Sequence, residues 1–152
     1  MKVNAKNLTI LIAEDDADDR ILLLDALKEC GIEHEIVFVD DGEHLLEYLK
    51  HEGKYTDIRL APRPSLILLD LNMPKIDGRE ALKEIKSTTR LKSIPVIVLT
   101  TSRAQDDIVR SYDLGANAYM TKPTAFDELI ATIASLKRFW IETAELPGDR
   151  HD

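Results

Sequence analysis

Five short apolar runs, at residues 8–13, 36–39, 66–69, 96–99 and 118–120, are each followed by a segment whose apolar residues recur at helical spacing. The first, third and fourth runs show no polar alternation, which is how strands covered on both faces of a parallel sheet read. The segments after them read as helices. Residues 16–30 carry Ile21, Leu24 and Leu27 on one stripe with Leu23, Ala26 and Cys30 beside it, and Gly31 is a natural stop. Residues 43–51 present Leu45, Leu46 and Leu49, residues 77–88 present Ala81, Leu82 and Ile85, and residues 105–114 present Ile108, Val109 and Tyr112. A longer helix runs through Phe126, Leu129, Ile130, Ile133, Leu136 and Trp140. Strand and helix alternating in this way predict an α/β fold, a doubly wound five-stranded parallel sheet with right-handed crossovers. A chain of 152 residues suffices for one such domain and excludes a two-domain enzyme. The expected division is an N-terminal segment (1–7), the domain (8–138) and a C-terminal extension (139–152).

Charge narrows the partners. Asp and Glu number 28 against 20 Lys and Arg, a net charge of −8, which opposes binding to nucleic acid, where Lys and Arg must displace counterions from phosphates. The first residues form no apolar leader, and no apolar run approaches the roughly 18 residues that span a bilayer. The expectation is a cytoplasmic protein with no nucleic-acid and no membrane partner. Cys30 is the single cysteine, so an intramolecular disulfide is impossible. His34, His44, His51 and His151 have no catalytic context and read as surface residues. Residues 53–65, with Pro62, Arg63 and Pro64, read as an irregular loop before the third strand.

In a sheet of this kind reactive residues collect beyond the carboxyl ends of the strands. Those ends hold Glu14, Asp15 and Asp16, then Asp70, then Thr100 and Thr101, then Thr121, Lys122 and Pro123. Glu14, Asp15 and Asp70 on one rim repel one another unless a cation intervenes. A set made of oxygen alone, with no His or Cys at metal spacing, suits Mg²⁺ rather than zinc. Each residue also has an ordinary reading: the acidic run opens a helix at its positive end, Asp70 caps a strand, Lys122 is solvated and Thr100 is a β-branched strand residue. Their convergence outweighs these, because carboxylates, a hydroxyl and an ammonium from four strand ends are what phosphoryl transfer to a carboxylate requires.

The residues resemble those of the receiver domain of two-component response regulators, over about 8–136. The matching pieces are Glu14-Asp15-Asp16 with Arg20, Leu68-Leu69-Asp70-Leu71-Asn72-Met73-Pro74 leading to Asp77-Gly78, residues 94–101 ending in Thr100-Thr101, and Gly115 through Tyr119 to Lys122-Pro123. The resemblance implies a flavodoxin-like (βα)5 fold with Asp70 as the phosphorylated residue. It implies that Mg²⁺ is held by Asp15, Asp70 and the Asn72 backbone carbonyl, with Glu14 acting through water. Thr100 would bond the phosphoryl group, Lys122 would pair with it, and Tyr119 matches the family's switch aromatic. Thr101 is bulkier than the Ala or Gly common there, which bears on the phosphoryl lifetime.

The long 53–65 loop and the continuation through Phe139, Trp140, Ile141 and Leu146-Pro147 are similar to the small single-domain regulators of bacterial and cyanobacterial phytochromes. That likeness implies a sensor histidine kinase of phytochrome type as partner and favours a homodimer. Phe139, Trp140, Ile141 and Leu146 put large apolar side chains beyond the end of the domain and read as the surface of that homodimer, the alternative being that Trp140 folds back on its own domain as an extra turn of core. Little length is left for an output domain, so signalling is expected through a phosphorylation-dependent change of shape, with no enzymatic activity beyond the protein's own Asp. The alternative is a Mg²⁺-dependent phosphohydrolase with an Asp nucleophile, although such enzymes place a second Asp two residues on, where this chain has Asn72. A flavodoxin-like cofactor binder would need a phosphate cradle after the first strand, and three acids stand there instead.

Overall fold

The computed structural model describes residues 8–148. Its strands are β1 (Thr9–Ala13), β2 (Glu35–Val39), β3 (Leu66–Leu69), β4 (Val96–Thr100) and β5 (Ala118–Thr121). Its helices are α1 (Ala17–Glu29), α2 (Gly42–Lys50), α3 (Gly78–Ser87), α4 (Gln105–Asp113) and α5 (Phe126–Leu136). All strands pair in parallel in the order β2-β1-β3-β4-β5, the flavodoxin-like arrangement that the receiver resemblance implies. Chain direction across the sheet reverses between β1 and β3, which makes that edge the switch point where sites form.

The three central strands are buried throughout, as their unbroken apolar runs require, while β2 and β5 at the edges are only partly covered. Two apolar layers sandwich the sheet. One joins Leu11, Leu45, Ile67, Leu82, Ile85 and Val98, and the other joins Ile10, Leu23, Leu68, Leu99, Leu129 and Ile133. Three helices start on an aspartate whose side chain accepts an amide of the first turn: Asp16 for α1, Asp41 for α2 and Asp77 for α3. Gly31, at φ +71°, turns the chain out of α1.

Several elements differ from the sequence expectation. The buried face of α1 is Leu23, Ala26 and Leu27, while Ile21 is 59 % exposed. Two apolar stripes compete on this helix, and the one continuing to Cys30 faces the sheet. In α4 only Ser111 is buried, and Val109 and Tyr112 lie in the open. The final helix widens into a π-helical stretch, Lys137–Thr143, so the expected domain limit at 138 falls inside a continuous helical segment. Trp140 and Ile141 pack against the α1/α5 layer, Phe139 is exposed, and the Phe139 and Trp140 rings meet edge to face at 5.1 Å.

The 53–65 loop is more ordered than expected. A short 3-10 turn, Gly53–Tyr55, opens it, Ala61 is fully buried, and the Tyr48 hydroxyl donates to the Pro62 carbonyl at 2.8 Å. The histidines are not plain surface residues either. His34 Nδ1 accepts the Leu8 amide at 3.2 Å, His44 is half-buried beside Asp41 and Tyr55, and His51 ends α2 at φ 57° with Nε2 2.9 Å from the Ala61 carbonyl. Short polar contacts of this kind leave no periodic trace in a sequence. His151 lies outside the described residues, as do 1–7 and 149–152. Among the described residues no helix is long and apolar enough to cross a membrane.

Candidate functional site

Register brings the acids together. Ala13 lies opposite Leu69 across β1 and β3, so Glu14 and Asp70, each one residue further on, emerge side by side at the switch point. The Asp70 amide donates to the Ala13 carbonyl at 3.2 Å and the Glu14 amide to the Val39 carbonyl at 3.1 Å, so strand-type bonding continues into the rim. One ligand oxygen from each of Glu14, Asp15 and Asp70 lies within 4.8 Å of the others. Glu14 is buried and Asp15 is exposed. This set of hard oxygens, open on one side, fits a divalent cation that keeps water ligands.

Lys122 supplies the opposing charge from just past β5. Its Nζ lies 2.5 Å from Glu14, 3.3 Å from Asp19 and 3.5 Å from Asp70, with its side chain only 6 % exposed. Burial works against this ammonium, but the Glu14, Asp70 and Asp19 carboxylates overcome it and hold its pKa above the usual lysine value. Burial also pushes the Glu14 carboxyl up, against the pull of Lys122.

The loop after Asp70 is folded tightly. The Asn72 amide donates to Asp70 Oδ1 at 3.1 Å, and Leu71 and Met73 anchor the loop in the core. A Cβ on Gly78 would stand 2.4 Å from the Asp70 carbonyl oxygen, so only glycine lets α3 begin so close to the site. Arg20 fastens the other loop. Its Nε donates to the Glu14 carbonyl at 2.8 Å while its guanidinium pairs with Asp40 and lies over the Phe38 ring.

Thr100 ends β4 with its side chain buried, and its hydroxyl has no hydrogen-bond partner among the described residues. Tyr119 is half-buried, its hydroxyl donating to the Ser102 carbonyl at 2.9 Å. Ser102 Oγ donates in turn to Asp107 at 2.6 Å, and Asp107 accepts from Arg79 at 2.7 Å, which also pairs with Asp77 at 3.1 Å. A polar chain therefore links the start of α3 to the start of α4 and to Tyr119.

The structure thus gathers Glu14, Asp15, Asp70 and Lys122, with Asn72 bonded to Asp70 and Thr100 ending the neighbouring strand. Phe139, Trp140, Ile141 and Leu146 take no part in this rim. Asp19 and the Arg79–Asp107 link were not anticipated. Asp19 stands three residues after the cap Asp16, a spacing that reads only as helix-start chemistry, and Arg79 meets Asp107 across 28 residues of sequence.

A family model, the response regulator receiver domain, matches residues 10–134. The response regulator Rcp1 of Synechocystis sp. is 45 % identical over 139 residues, covering 91 % of this chain and 92 % of that one. The crystal structure of its Mn²⁺-bound form is similar with a TM-score of 0.84 at 44 % identity, covering 93 % of this chain and 99 % of that one. The phosphorylated cyanobacterial phytochrome response regulator RcpA gives a TM-score of 0.87 at 46 % identity over 94 % of this chain and all of that one. The bacteriophytochrome response regulator RtBRR gives 0.75 at 43 %, over 93 % of this chain and 85 % of that one. These relatives give no support to the phosphohydrolase reading. The chain belongs to the response regulator receiver family and is related, over nearly its whole length, to phytochrome response regulators.

Proposed function

We propose that Asp70 accepts a phosphoryl group from the phosphohistidine of a sensor histidine kinase of phytochrome type in the cytoplasm. The observation that carries this reading is the convergence on Asp70 of two further carboxylates and a buried ammonium at the switch point. In the transfer an Asp70 oxygen forms a bond to phosphorus, the donor's P–N bond breaks, and its electron pair stays on the imidazole. Loss of the group to water resets the protein, which acts on no other substrate.

Mg²⁺ is the cation in this reading, supported by the all-oxygen donor set and by the Mn²⁺-bound form of Rcp1. Asp15, Asp70 and the Asn72 carbonyl would hold it, with Glu14 acting through water, and when bound it offsets the charge of the incoming phosphoryl group. Lys122 offsets the same charge from the protein side. The orphaned Thr100 hydroxyl is a donor with no internal acceptor, and a phosphoryl oxygen would satisfy it. The Tyr119 hydroxyl is tied to the Ser102 carbonyl, so a shift of Thr100 and this loop would release that end of the side chain and re-form the surface around α4 and β5. The exposed Phe139, with Trp140, Ile141 and Leu146, forms the surface of a homodimer.

Incubation with acetyl phosphate and Mg²⁺ should add one acid-labile phosphoryl group. Asp70→Asn or excess EDTA should abolish the gain. Equal labelling of Asp70→Asn, or labelling indifferent to EDTA, would overturn the assignment.

A further inference from the structure

Lys122 has a third acid partner that the site assignment above does not use. Asp19, in the first turn of α1, brings a carboxylate oxygen to 3.3 Å from Nζ, nearly the same reach as the 3.5 Å of Asp70. An ammonium has three donors, and Glu14, Asp19 and Asp70 account for all of them. Asp19 is not one of the acids whose oxygens converge for a cation, so a bound metal does not neutralise it directly.

We propose that Asp19 is a positioning residue that competes with Asp70 for the Lys122 ammonium and biases the site toward its unphosphorylated form. The inference rests on Asp70 being the acceptor. When Asp70 takes a phosphoryl group from acetyl phosphate, its oxygen bonds phosphorus, the donor's P–O bond breaks and acetate leaves with the electron pair. The rim then carries a phosphoryl group of about −1.5 to −2 charge. Lys122 must turn to it, which strips Asp19 of its cation and leaves two anions facing each other. Both effects penalise the phosphorylated state.

An acid at this position also offsets the positive end of the helix dipole, but Asp18 beside it does that equally. Asp18 is exposed and makes no bond to Lys122, so Asp18→Asn removes the same charge from the same turn and serves as the matched control. The measurement is the steady-state ratio of phosphorylated to unphosphorylated protein by intact mass, at limiting acetyl phosphate and saturating Mg²⁺. Asp19→Asn should raise the ratio about two- to fivefold, the span of an ion pair with one partly exposed partner. Asp18→Asn should leave it at the wild-type level. Asp19→Glu, which restores a carboxylate within reach, should return it toward wild type. A ratio in Asp19→Asn no higher than in Asp18→Asn, or an Asp19→Glu variant that behaves like Asp19→Asn, overturns the inference. Labelling of Asp70→Asn overturns instead the function on which it rests.

Discussion

Thr100 and Lys122 are joined through the backbone, the Lys122 amide donating to the Thr100 carbonyl at 2.7 Å, yet their side chains differ sharply. Every donor of Lys122 is used, whereas the Thr100 hydroxyl is buried and bonded to nothing. A buried polar group without a partner costs about 1–3 kcal/mol, and an apolar group of the same shape removes that cost. Thr100→Val should therefore raise the thermal midpoint of the unphosphorylated protein, unlike most core substitutions. The same variant should label at Asp70 but lose the conformational response. A lowered midpoint in a calorimetric scan, or an intact response by near-UV dichroism, would contradict this account of the hydroxyl. Gly78 gives a prediction of the opposite sign. Its missing Cβ is what keeps the Asp70 carbonyl clear, so Gly78→Ala should destabilise by about 1–3 kcal/mol, read by urea titration. At this scale the site was legible where a residue's place at a strand end decides its neighbours, as for Glu14, Asp15, Asp70 and Lys122. Asp19 was hidden because an acid in the first turn of α1 reads as helix-start chemistry, and His51 because its role is a left-handed helix end.

Among the elements, α4 differs from its neighbours. It buries only Ser111, whose hydroxyl is also unpartnered, and the Arg79–Asp107–Ser102 chain ties its start to α3. Few buried apolar contacts imply a low opening free energy, so α4 amides should exchange hydrogen faster than those of α3 or α5, as mass spectrometry would show. Ser102 and then Arg79 hold the Asp107 carboxyl below its ordinary 3.8. A carboxylate with a depressed pKa binds fewer protons folded than unfolded, so its stabilisation is complete above about pH 4 and is lost as pH falls through the lower folded value. Asp107→Asn should thus lower the stability at pH 6 by about 0.2–1 kcal/mol, and the difference from wild type should begin to shrink as pH falls below 3.8 and vanish only below the lower folded value. A difference that persists or grows in acid would contradict the pairing. The α4 region also shows why the sequence was misleading here. Ile108, Val109 and Tyr112 fall at helical spacing, but spacing does not reveal whether a partner surface lies opposite. In α1 two such stripes were present, and only packing selected the one through Leu23, Ala26 and Leu27.

For the molecule as a whole, the parallel sheet and its buried central strands followed from strand–helix alternation and unbroken apolar runs, because strands covered on both faces have no choice of side to leave polar, while the flavodoxin-like arrangement followed from the resemblance to receiver domains. The C-terminal stretch did not separate so simply into domain and extension. Trp140 and Ile141 pack on the α1/α5 layer and Lys137 donates to the Cys30 carbonyl at 2.7 Å, while Phe139 faces outward. Trp140→Ala should then cost about 1–3 kcal/mol of stability. Phe139→Glu should leave stability nearly unchanged and hold the light-scattering mass near 17.2 kDa, with the wild type near twice that. A wild-type mass that stays at the monomer value with and without acetyl phosphate would end the homodimer proposal. The claim on which the rest depends is chemical, that one carboxylate of the rim becomes an acyl phosphate. Borohydride reduces an acyl phosphate to the alcohol, so protein treated with acetyl phosphate and Mg²⁺, then reduced and digested, should carry homoserine in place of Asp70 and at no other acid. Homoserine at Asp15 or Asp19, 5-hydroxynorvaline at Glu14, or no reduced residue at all in protein that had gained a phosphoryl group, would contradict it.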